Sequence, residues 1–398
     1  MRQLRLGAVF MRGGTSNAIM LRQEDLPEDT ALWPALFLAA MGSPDPNGRQ
    51  LDGMGGGISS LSKVCVIGPP SRPDADVDYT FVQIMVTDAA VDTSGNCGNM
   101  SSAVGPFAVD EGIIPRPEGA DAVVRIHNTN TGKIIVSRFA MDGELAAVDG
   151  NFALAGVAGT GAPVRLEFLD PGGSGSAGLL PTGTVVEQLE APGIGPIPVS
   201  MVDAALPAVF LAARTLGTAG TELPSDLDAD GGLMEKLETI RLAASVRMGI
   251  AATPGAAAKI LHIPKVALIT GPKEAKTLAG ETIIGDDMDV TVRMISIGNT
   301  HRAVPVTGAL CLAVAARIEG SVVNALARAT AADSDIRIAN PSGVMTVAAE
   351  VRKEGEDWVA EHAVLYRTQR RLMEGTLLVS AAKVEAAGEL AASVTTAA

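Results

Sequence analysis

The chain has 398 residues, and 31 Lys and Arg against 45 Asp and Glu give a formal net charge of −14. That length indicates two or three domains. Because 47% of the residues are hydrophobic and 19% are charged, a disordered chain is excluded. The acidic balance argues against nucleic acid and anionic membrane surfaces as partners, since both need Lys and Arg to meet phosphates.

Targeting and metal signals are sparse. No apolar run of 18 residues occurs, so no transmembrane helix is expected, and the first six residues lack a signal-peptide core. Three cysteines are too few for a disulfide framework and favour a reducing cytoplasm. The four histidines are far apart and form no zinc motif, so no metal site is expected.

Strand signals dominate the chain. Runs rich in Val and Ile and bounded by turn residues predict strands at 4–10, 63–67, 79–86, 122–127, 133–138, 164–168, 197–202, 265–269 and 290–295, with another near Val185. Ala- and Leu-rich segments predict helices at 31–41, 101–110, 232–248, 309–318 and 322–331. The strands are too numerous for simple βαβ alternation, so the sequence predicts an α+β protein with antiparallel sheets.

A weak internal repeat indicates two related domains. The Gly- and Ser-rich segment 170–178 predicts a loop, and we place the domain crossover near residue 184. In each half a glycine-bearing turn, 94–100 or 306–309, leads into an Ala-rich helix. The tail after Ala386 is expected to fray.

The strongest local feature is the turn at 94–100 (SGNCGNM). Cys97 lies between two glycines and before a predicted helix, whose positive end favours the thiolate form. The first N–H groups of that helix can also bind a carboxylate. The alternative is a buried structural cysteine, and the flanking Gly and Asn residues favour the functional interpretation.

Two further loops are candidate anion sites. In 55–63 (GGGISSLSK), glycine N–H groups with the hydroxyls of Ser59 and Ser60 can wrap an anion. Lys63 opens a buried strand, where lost hydration disfavours its charged form and makes it a candidate proton acceptor; the alternative is a surface lysine beside a flexible loop. In 11–17 (MRGGTSN), Arg12 can grip a carboxylate while Gly14, Thr15 and Ser16 supply donors; the alternative is an ordinary hairpin turn.

The second half offers one comparable segment. It combines 298–303 (GNTHRA), which contains His301, with Thr307, Gly308 and Ala309 at a helix start. Cys311 and Cys65 are interpreted as core residues, and the remaining histidines, His127, His262 and His362, as structural. Neither a phosphate-binding P-loop nor a GxGxxG dinucleotide motif is present.

In combination these motifs resemble the PrpF family. The matching segments are 11–16 (MRGGTS), 59–64 (SSLSKV), 95–100 (GNCGNM), 247–250 (RMGI), and His301 with the 307–309 turn. The family contains 2-methylaconitate cis–trans isomerases, 4-oxalomesaconate tautomerases and methylitaconate isomerases. Segments 42–54 and 192–195 look closest to the 2-methylaconitate branch, which serves the methylcitrate route of propionate breakdown.

The resemblance implies two similar diaminopimelate epimerase-like domains, each a curved, mostly antiparallel sheet around a central helix. We expect them at 1–183 with 372–398, and at 184–371, with the last strand near 376–379 returning to the first domain. It further implies an active site without a cofactor, in which Lys63 and Cys97 are catalytic. Substrate contacts are expected from Arg12, Gly14, Thr15, Ser16, Ser59, Ser60, Gly98, Asn99, Met100, His301, Thr307, Gly308 and Ala309. The family's GGTSK motif is altered here, since position 17 is Asn17.

The implied reaction is an allylic proton transfer on an unsaturated di- or tricarboxylate, and the exact substrate stays open, as does the choice between a monomer and a homodimer. Two rivals remain. An amino-acid racemase of the same fold would need a second cysteine opposite Cys97, and a non-catalytic carboxylate-binding protein would not need both Lys63 and Cys97.

Overall fold

The computed structural model of the protein describes residues 3–93, 95–296 and 298–387. Ser94 of the predicted turn and nearly all of the tail expected to fray lie outside the described residues. The chain divides into unit 1, Met1–Leu166 with Arg367–Ala398, and unit 2, Glu167–Tyr366. Both boundaries fall within strands. The sequence suggested crossovers near 184 and 371 instead, because no change of composition marks the chain at 166–167 or at 366–367.

Unit 1 is built from a hairpin, two crossovers and a returning strand. Its helices are α1 (Trp33–Met41) and α2 (Ser101–Asp110). Its strands are β1 (Gln3–Gly13), β2 (Ser16–Arg22), β3 (Lys63–Gly68), β4 (Val77–Ile84), β5 (Val91–Asp92), β6 (Asp121–Asn128), β7 (Lys133–Asp142), β8 (Leu145–Ala146), β9 (Phe152–Ala153), β10 (Thr160–Gly161) and the first part of β11 (Pro163–Leu169).

Most strand pairs of unit 1 are antiparallel, but β2–β3 and β4–β6 are parallel. Parallel strands need long crossovers, and α1 and α2 lie in the two crossover segments. The last strand of the chain pairs with β1, with Val379 opposite Leu4, which confirms the expected return to the first domain.

The described residues of unit 2 form the α-helices α3 (Pro224–Ala229), α4 (Gly231–Arg247), α5 (Pro254–Ala257), α6 (Val306–Arg317) and α7 (Val322–Leu326). Its strands are the rest of β11 and β12 (Glu187–Ala191), β13 (Gly195–Asp203), β14 (Pro207–Ala212), β15 (Lys265–Thr270), β16 (Ala275–Lys276), β17 (Thr282–Ile283), β18 (Val290–Ser296), β19 (Asn299–Thr300), β20 (Ile336–Asn340), β21 (Gly343–Glu354) and β22 (Asp357–Ser380), which continues into unit 1.

The two units repeat one topology. In unit 2 the antiparallel pair β13–β14 is followed by the parallel pair β14–β15, the antiparallel pair β15–β18 and the parallel pair β18–β20. This is the order in which β1, β2, β3, β4 and β6 pair in unit 1. The structure therefore confirms the α+β class and the two matching turn–helix segments.

The helices α2 and α6 are central to their units. Residues 101–109 of α2 and 308–316 of α6 are buried, and both helices contact strands of their own unit, α2 at β1, β6, β7 and β8 and α6 at β13, β14 and β21. Small residues allow this close packing: a Cβ at Gly105 would lie 2.8 Å from the Ser137 hydroxyl of β7. The start of each central helix is consequently held at a fixed place against its sheet.

Candidate active site

Lys63 is the first residue of β3, a strand buried along its whole length. Lys63 is only 7% exposed and lies directly opposite Gln83 of β4 in the antiparallel register. The amine donates a hydrogen bond to the Gln83 side-chain oxygen and lies 5.2 Å from the centre of the Phe81 ring. The structure therefore holds the predicted proton-transfer lysine in a defined, largely dehydrated place.

The side chain of Gln83 is itself oriented. Its Nε2 donates to the carbonyl oxygens of Ser62 at 2.8 Å and Ser59 at 3.0 Å, the latter at the start of a short 3₁₀ turn, Ser59–Leu61. With the amide nitrogen fixed in this way, the amide oxygen must face Lys63. The Ser59–Ser62 backbone thus acts indirectly, by positioning the partner of the lysine.

The glycine-rich loop differs from expectation at one point. The Gly57 N–H donates to Gln50 Oε1 at 3.0 Å, so this donor is used inside the protein rather than on an anion. Gln50 is buried and also donates to the Ser62 hydroxyl at 2.7 Å. A Cβ at Gly55 would lie 2.2 Å from Gln50 Oε1, which explains why glycine is needed there. The loop packs around Gln50, while Ser59 is exposed and Ser60 half-buried.

Cys97 is half-buried at the entry to α2. Its carbonyl oxygen accepts from the Ser101 N–H at 3.0 Å and from the Ser101 hydroxyl at 3.1 Å, so the helical turn begins at Cys97. The N–H groups of Gly98, Asn99 and Met100 therefore belong to the first turn, which has no intrahelical acceptors for them. The predicted combination of a thiol and helix N–H donors is present in this turn.

Lys63 and Cys97 share one neighbourhood. Cys65 and Tyr79, on the same face of β3 and β4 as Lys63, are both fully buried, and the Cys65 thiol donates to the Tyr79 hydroxyl at 3.8 Å. Burial raises the pKa of Cys65; the charge of Cys97 raises it further and that of Lys63 lowers it. Burial likewise raises the pKa of Tyr79, and Cys97 adds to it. The lysine and the half-buried cysteine thus both act electrostatically on a buried thiol that stays protonated.

The loop 11–17 is the β1–β2 hairpin turn, packed against the Cys97 turn. Gly14 has a φ of +53°, and a Cβ there would lie 2.3 Å from Asn99 Oδ1. The Asn99 amide donates to the Thr15 hydroxyl at 3.2 Å. Thr15 is exposed, whereas Ser16 and Met100 are buried. Gly14, Thr15 and Asn99 are thereby brought together with Cys97.

Arg12 has a different set of contacts from the predicted carboxylate grip. Its Nη1 donates to the Gly14 carbonyl at 2.9 Å and to the Thr368 carbonyl and hydroxyl, both at 3.0 Å. Burial lowers the pKa of Arg12, and the neighbouring Arg370 contributes to the lowering. The side chain therefore pins the hairpin turn to β22, a strand that the sequence did not predict beyond its last residues.

One residue near this site was missed at the sequence level. Arg367 of β22 is 3% exposed, and its Nε donates to Asn99 Oδ1 at 3.1 Å. The segment around it, YRTQRRLMEG, reads as an exposed charged run, and its partner is 268 residues away, so no local signal could have identified the contact.

Unit 2 has a lysine in the place equivalent to Lys63. Lys265 is the first residue of β15, is 8% exposed, and donates to the Ser296 hydroxyl at 2.6 Å. Burial, with help from Arg241, lowers its pKa to about 8. A buried lysine with a lowered pKa is a candidate functional residue. The signal that could have found it was its position at the start of an apolar strand.

The predicted residues of the second half lie at the start of α6. His301 Nδ1 accepts from the Ala303 N–H at 3.1 Å, and burial lowers the pKa of His301, with Lys265 contributing. Gly308 is a packing position, since a Cβ there would lie 2.5 Å from the Met294 sulfur. Ala309 is buried and Thr307 is half-buried. Their proposed substrate contacts stay predictions.

The remaining cysteine is part of the core. Cys311 is fully buried in α6, and its thiol donates to the Val202 carbonyl at 3.4 Å. Within 3–93, 95–296 and 298–387, no three His, Cys, Asp or Glu side chains form a group that could hold a metal ion. Over the same residues, no helix is both long and apolar enough to span a membrane.

Comparisons with known proteins agree with this architecture. A family model described as "PrpF protein" matches residues 3–380. The chain is 41% identical to a 3-methylitaconate isomerase of Eubacterium barkeri over 384 residues, which cover 96% of this chain and 99% of that one. It is 38% identical to a 2-methyl-aconitate isomerase of Shewanella oneidensis over 95% of this chain and 97% of that one.

Solved structures give the same result. A crystal structure of methylitaconate-delta-isomerase, 40% identical, superposes with a TM-score of 0.89 and covers 96% of this chain and 98% of that one. A hydroxyproline epimerase of Agrobacterium vitis is 11% identical and superposes with a TM-score of 0.50 over 96% of this chain and 94% of that one. This likeness shows only that the fold is epimerase-like. The chain is an isomerase and belongs to the PrpF family.

Proposed function

We propose that the protein is a cofactor-independent isomerase of unsaturated di- or tricarboxylates that acts by allylic proton transfer. The observation that supports this most is that Lys63 lies on the same face of the sheet as the buried pair Cys65 and Tyr79, and that the charge of Cys97 acts on both members of this pair. Two groups that can exchange protons, next to helix N–H donors, are what such a reaction requires.

The chemistry conserves electrons and needs no oxidant. One group removes the proton from the carbon next to the double bond, and the electron pair of that C–H bond spreads into the conjugated carboxylate as a dienolate. The other group returns a proton at the same or another carbon. Return at another carbon moves the double bond, and rotation of the intermediate before return exchanges cis and trans. The order in which Lys63 and Cys97 act is left to experiment.

The developing negative charge needs local compensation, because the chain as a whole carries a charge of −14 and repels an anionic substrate at long range. In unit 1 this compensation is available from Lys63, Arg367 and the first turn of α2. Arg12 contributes indirectly by holding the hairpin turn.

Among substrates, 2-methylaconitate is our first proposal, and the alternatives are methylitaconate, aconitate and 4-oxalomesaconate. The two relatives described above are named for 3-methylitaconate and 2-methyl-aconitate. These compounds differ by one small group, and a single methyl is worth about 1–3 kcal/mol of discrimination.

The test is NMR of each candidate substrate with the enzyme in deuterated water. The expected result is loss of the allylic proton signal and its replacement by deuterium, fastest for 2-methylaconitate, with formation of the other geometric isomer. If none of the four compounds exchanges a proton, the proposal is wrong.

Both rival functions lose support. A two-cysteine racemase would use Cys311 as its second cysteine. This thiol is buried and donates a hydrogen bond to the Val202 carbonyl, and its burial raises its pKa. A non-catalytic binding protein gives no reason to bury Lys63 beside an oriented glutamine.

A further inference from the structure

Arg367 lies beside the turn that carries Cys97. Its Nε donates to Asn99 Oδ1 at 3.1 Å, and Asn99 follows Cys97 by two residues. Burial lowers the pKa of Arg367 to about 10, and the charge of Cys97 acts in the opposite direction. The guanidinium is therefore bonded directly to the turn that carries the thiol.

Asn99 transmits the contact to the hairpin turn. Its side-chain oxygen accepts from Arg367 and from the Thr15 N–H at 3.4 Å, while its nitrogen donates to the Thr15 hydroxyl at 3.2 Å. An amide with both ends bonded has one orientation. Gly14 closes the arrangement, since a Cβ there would lie 2.9 Å from Arg367 Cδ. A shift of Arg367 would thus move Asn99 and the start of α2.

We propose that Arg367 is a positioning residue for Cys97: its guanidinium holds the side chain of Asn99, and Asn99 fixes the turn that carries the Cys97 thiol. The place of this thiol matters only if Cys97 transfers a proton, so the proposal rests on the function proposed above. A guanidinium suits this place because its planar fork holds a fixed geometry and keeps its charge when buried.

The test measures alkylation of Cys97 by iodoacetamide in the native protein at pH 7.5, because only the thiolate reacts. Cys65 and Cys311 are fully buried and serve as internal controls for folding. Arg367→Met removes the donor that holds Asn99 and should slow alkylation of Cys97 by about tenfold, because the thiol is then no longer held against the helix N–H groups. Arg370→Met, an exposed arginine three residues along the same strand, is the control and should react at the wild-type rate. A folded Arg367→Met protein that is alkylated at the wild-type rate overturns the positioning role.

The conservative variant tests positioning and covers the case in which Arg367→Met does not fold. Arg367→Lys keeps a donor for Asn99 but loses the fixed fork, so alkylation should stay within about threefold while kcat falls about tenfold at an unchanged KM. Wild-type kcat in Arg367→Lys overturns the positioning role. The alkylation assay needs no substrate, so its outcome is separate from that of the proposed function, which fails if Lys63→Met and Cys97→Ser both keep full turnover.

Discussion

The two units place a lysine at the same point of the same topology and surround it differently. Lys63 and Lys265 each begin the strand that follows the first parallel crossover, and each donates to a side chain of the antiparallel neighbour, Gln83 or Ser296. In unit 1 the neighbours are the Phe81 ring and the buried Cys65, whose pKa the charge of Cys97 also raises. In unit 2 they are Arg241 and His301, and the pKa of Lys265 falls to about 8.

The difference shows that the fold supplies a position and the neighbours decide the chemistry. The second proposed proton-transfer group, Cys97, belongs to unit 1, where it is half-buried at a helix entry. The cysteine of unit 2, Cys311, lies inside the helix and is fully buried. We therefore assign proton transfer to unit 1.

The largest expected effect is that of Lys63→Met. Methionine has a similar length and apolar volume, so packing is kept while the amine is lost. Turnover should fall by about 10²–10⁴-fold, the usual contribution of general acid–base catalysis, with little change in melting temperature. Steady-state kinetics with 2-methylaconitate would measure it, with Lys353→Met, an exposed lysine, as the control. Turnover within threefold of the wild type would remove the distinction drawn between the units.

Gln83→Leu should have a smaller effect. The substitution removes the acceptor that holds the Lys63 amine, and hydrogen bonds to charged groups contribute about 1.5–3 kcal/mol, so a loss of at least about tenfold in kcat is expected. The matched change in unit 2 is Ser296→Ala, which removes the acceptor of Lys265. Wild-type kcat in Gln83→Leu would show that the orientation of Lys63 is unimportant.

Gly14→Ala tests the contact between the hairpin turn and the Cys97 turn. It combines a positive φ with a Cβ only 2.3 Å from Asn99 Oδ1, so the free energy of unfolding should fall by about 1–3 kcal/mol, accompanied by reduced turnover. Gly132→Ala has a similar φ of +69° in open space and isolates the backbone strain. Denaturant unfolding of both variants separates the two contributions. Equal losses in stability would mean that crowding at Gly14 is absent.

Lys265→Met is a test of stability rather than of turnover. The folded-state pKa of Lys265, about 8, lies below the ordinary lysine pKa of 10.5, so between these pH values the unfolded chain binds more protons and stability rises with pH. Below pH 8 the buried amine is charged, and this lowers the free energy of unfolding by at most about 3 kcal/mol. Lys265→Met should therefore raise the melting temperature at pH 7 and flatten the rise between pH 8 and 10.5. Parallel calorimetry of variant and wild type decides; a variant that melts lower at pH 7 contradicts the assignment.

Part of this account was visible in the sequence. The bounds of α2 agree with the predicted helix 101–110, and Lys63 and Cys97 stood out because turn residues flank them. The strands β2, β20, β21 and most of β22 were missed; in the last three, charged residues interrupt the apolar pattern. The helix predicted at 322–331 ends earlier, at Leu326.

The supporting residues could not be predicted, because each acts across a long separation. Gln50, Gln83 and Arg367 are polar residues whose importance comes only from the groups that they meet. Arg12 had the right charge for a carboxylate, but its Nη1 is bonded to Thr368, 356 residues away, within an unpredicted part of β22.

Solvent-deuterium exchange tests the assignment of proton transfer to Lys63 and Cys97 most directly. Wild-type enzyme, Lys63→Met and Cys97→Ser are each incubated with 2-methylaconitate in deuterated water, and loss of the allylic proton is followed by NMR. We predict that both variants lose exchange by at least about 100-fold. The variant that lacks the first proton acceptor should exchange no substrate protons for deuterium. In the other variant, the residual deuterium should be distributed differently among the substrate carbons than with the wild-type enzyme. Exchange at the wild-type rate in Lys63→Met would contradict the account.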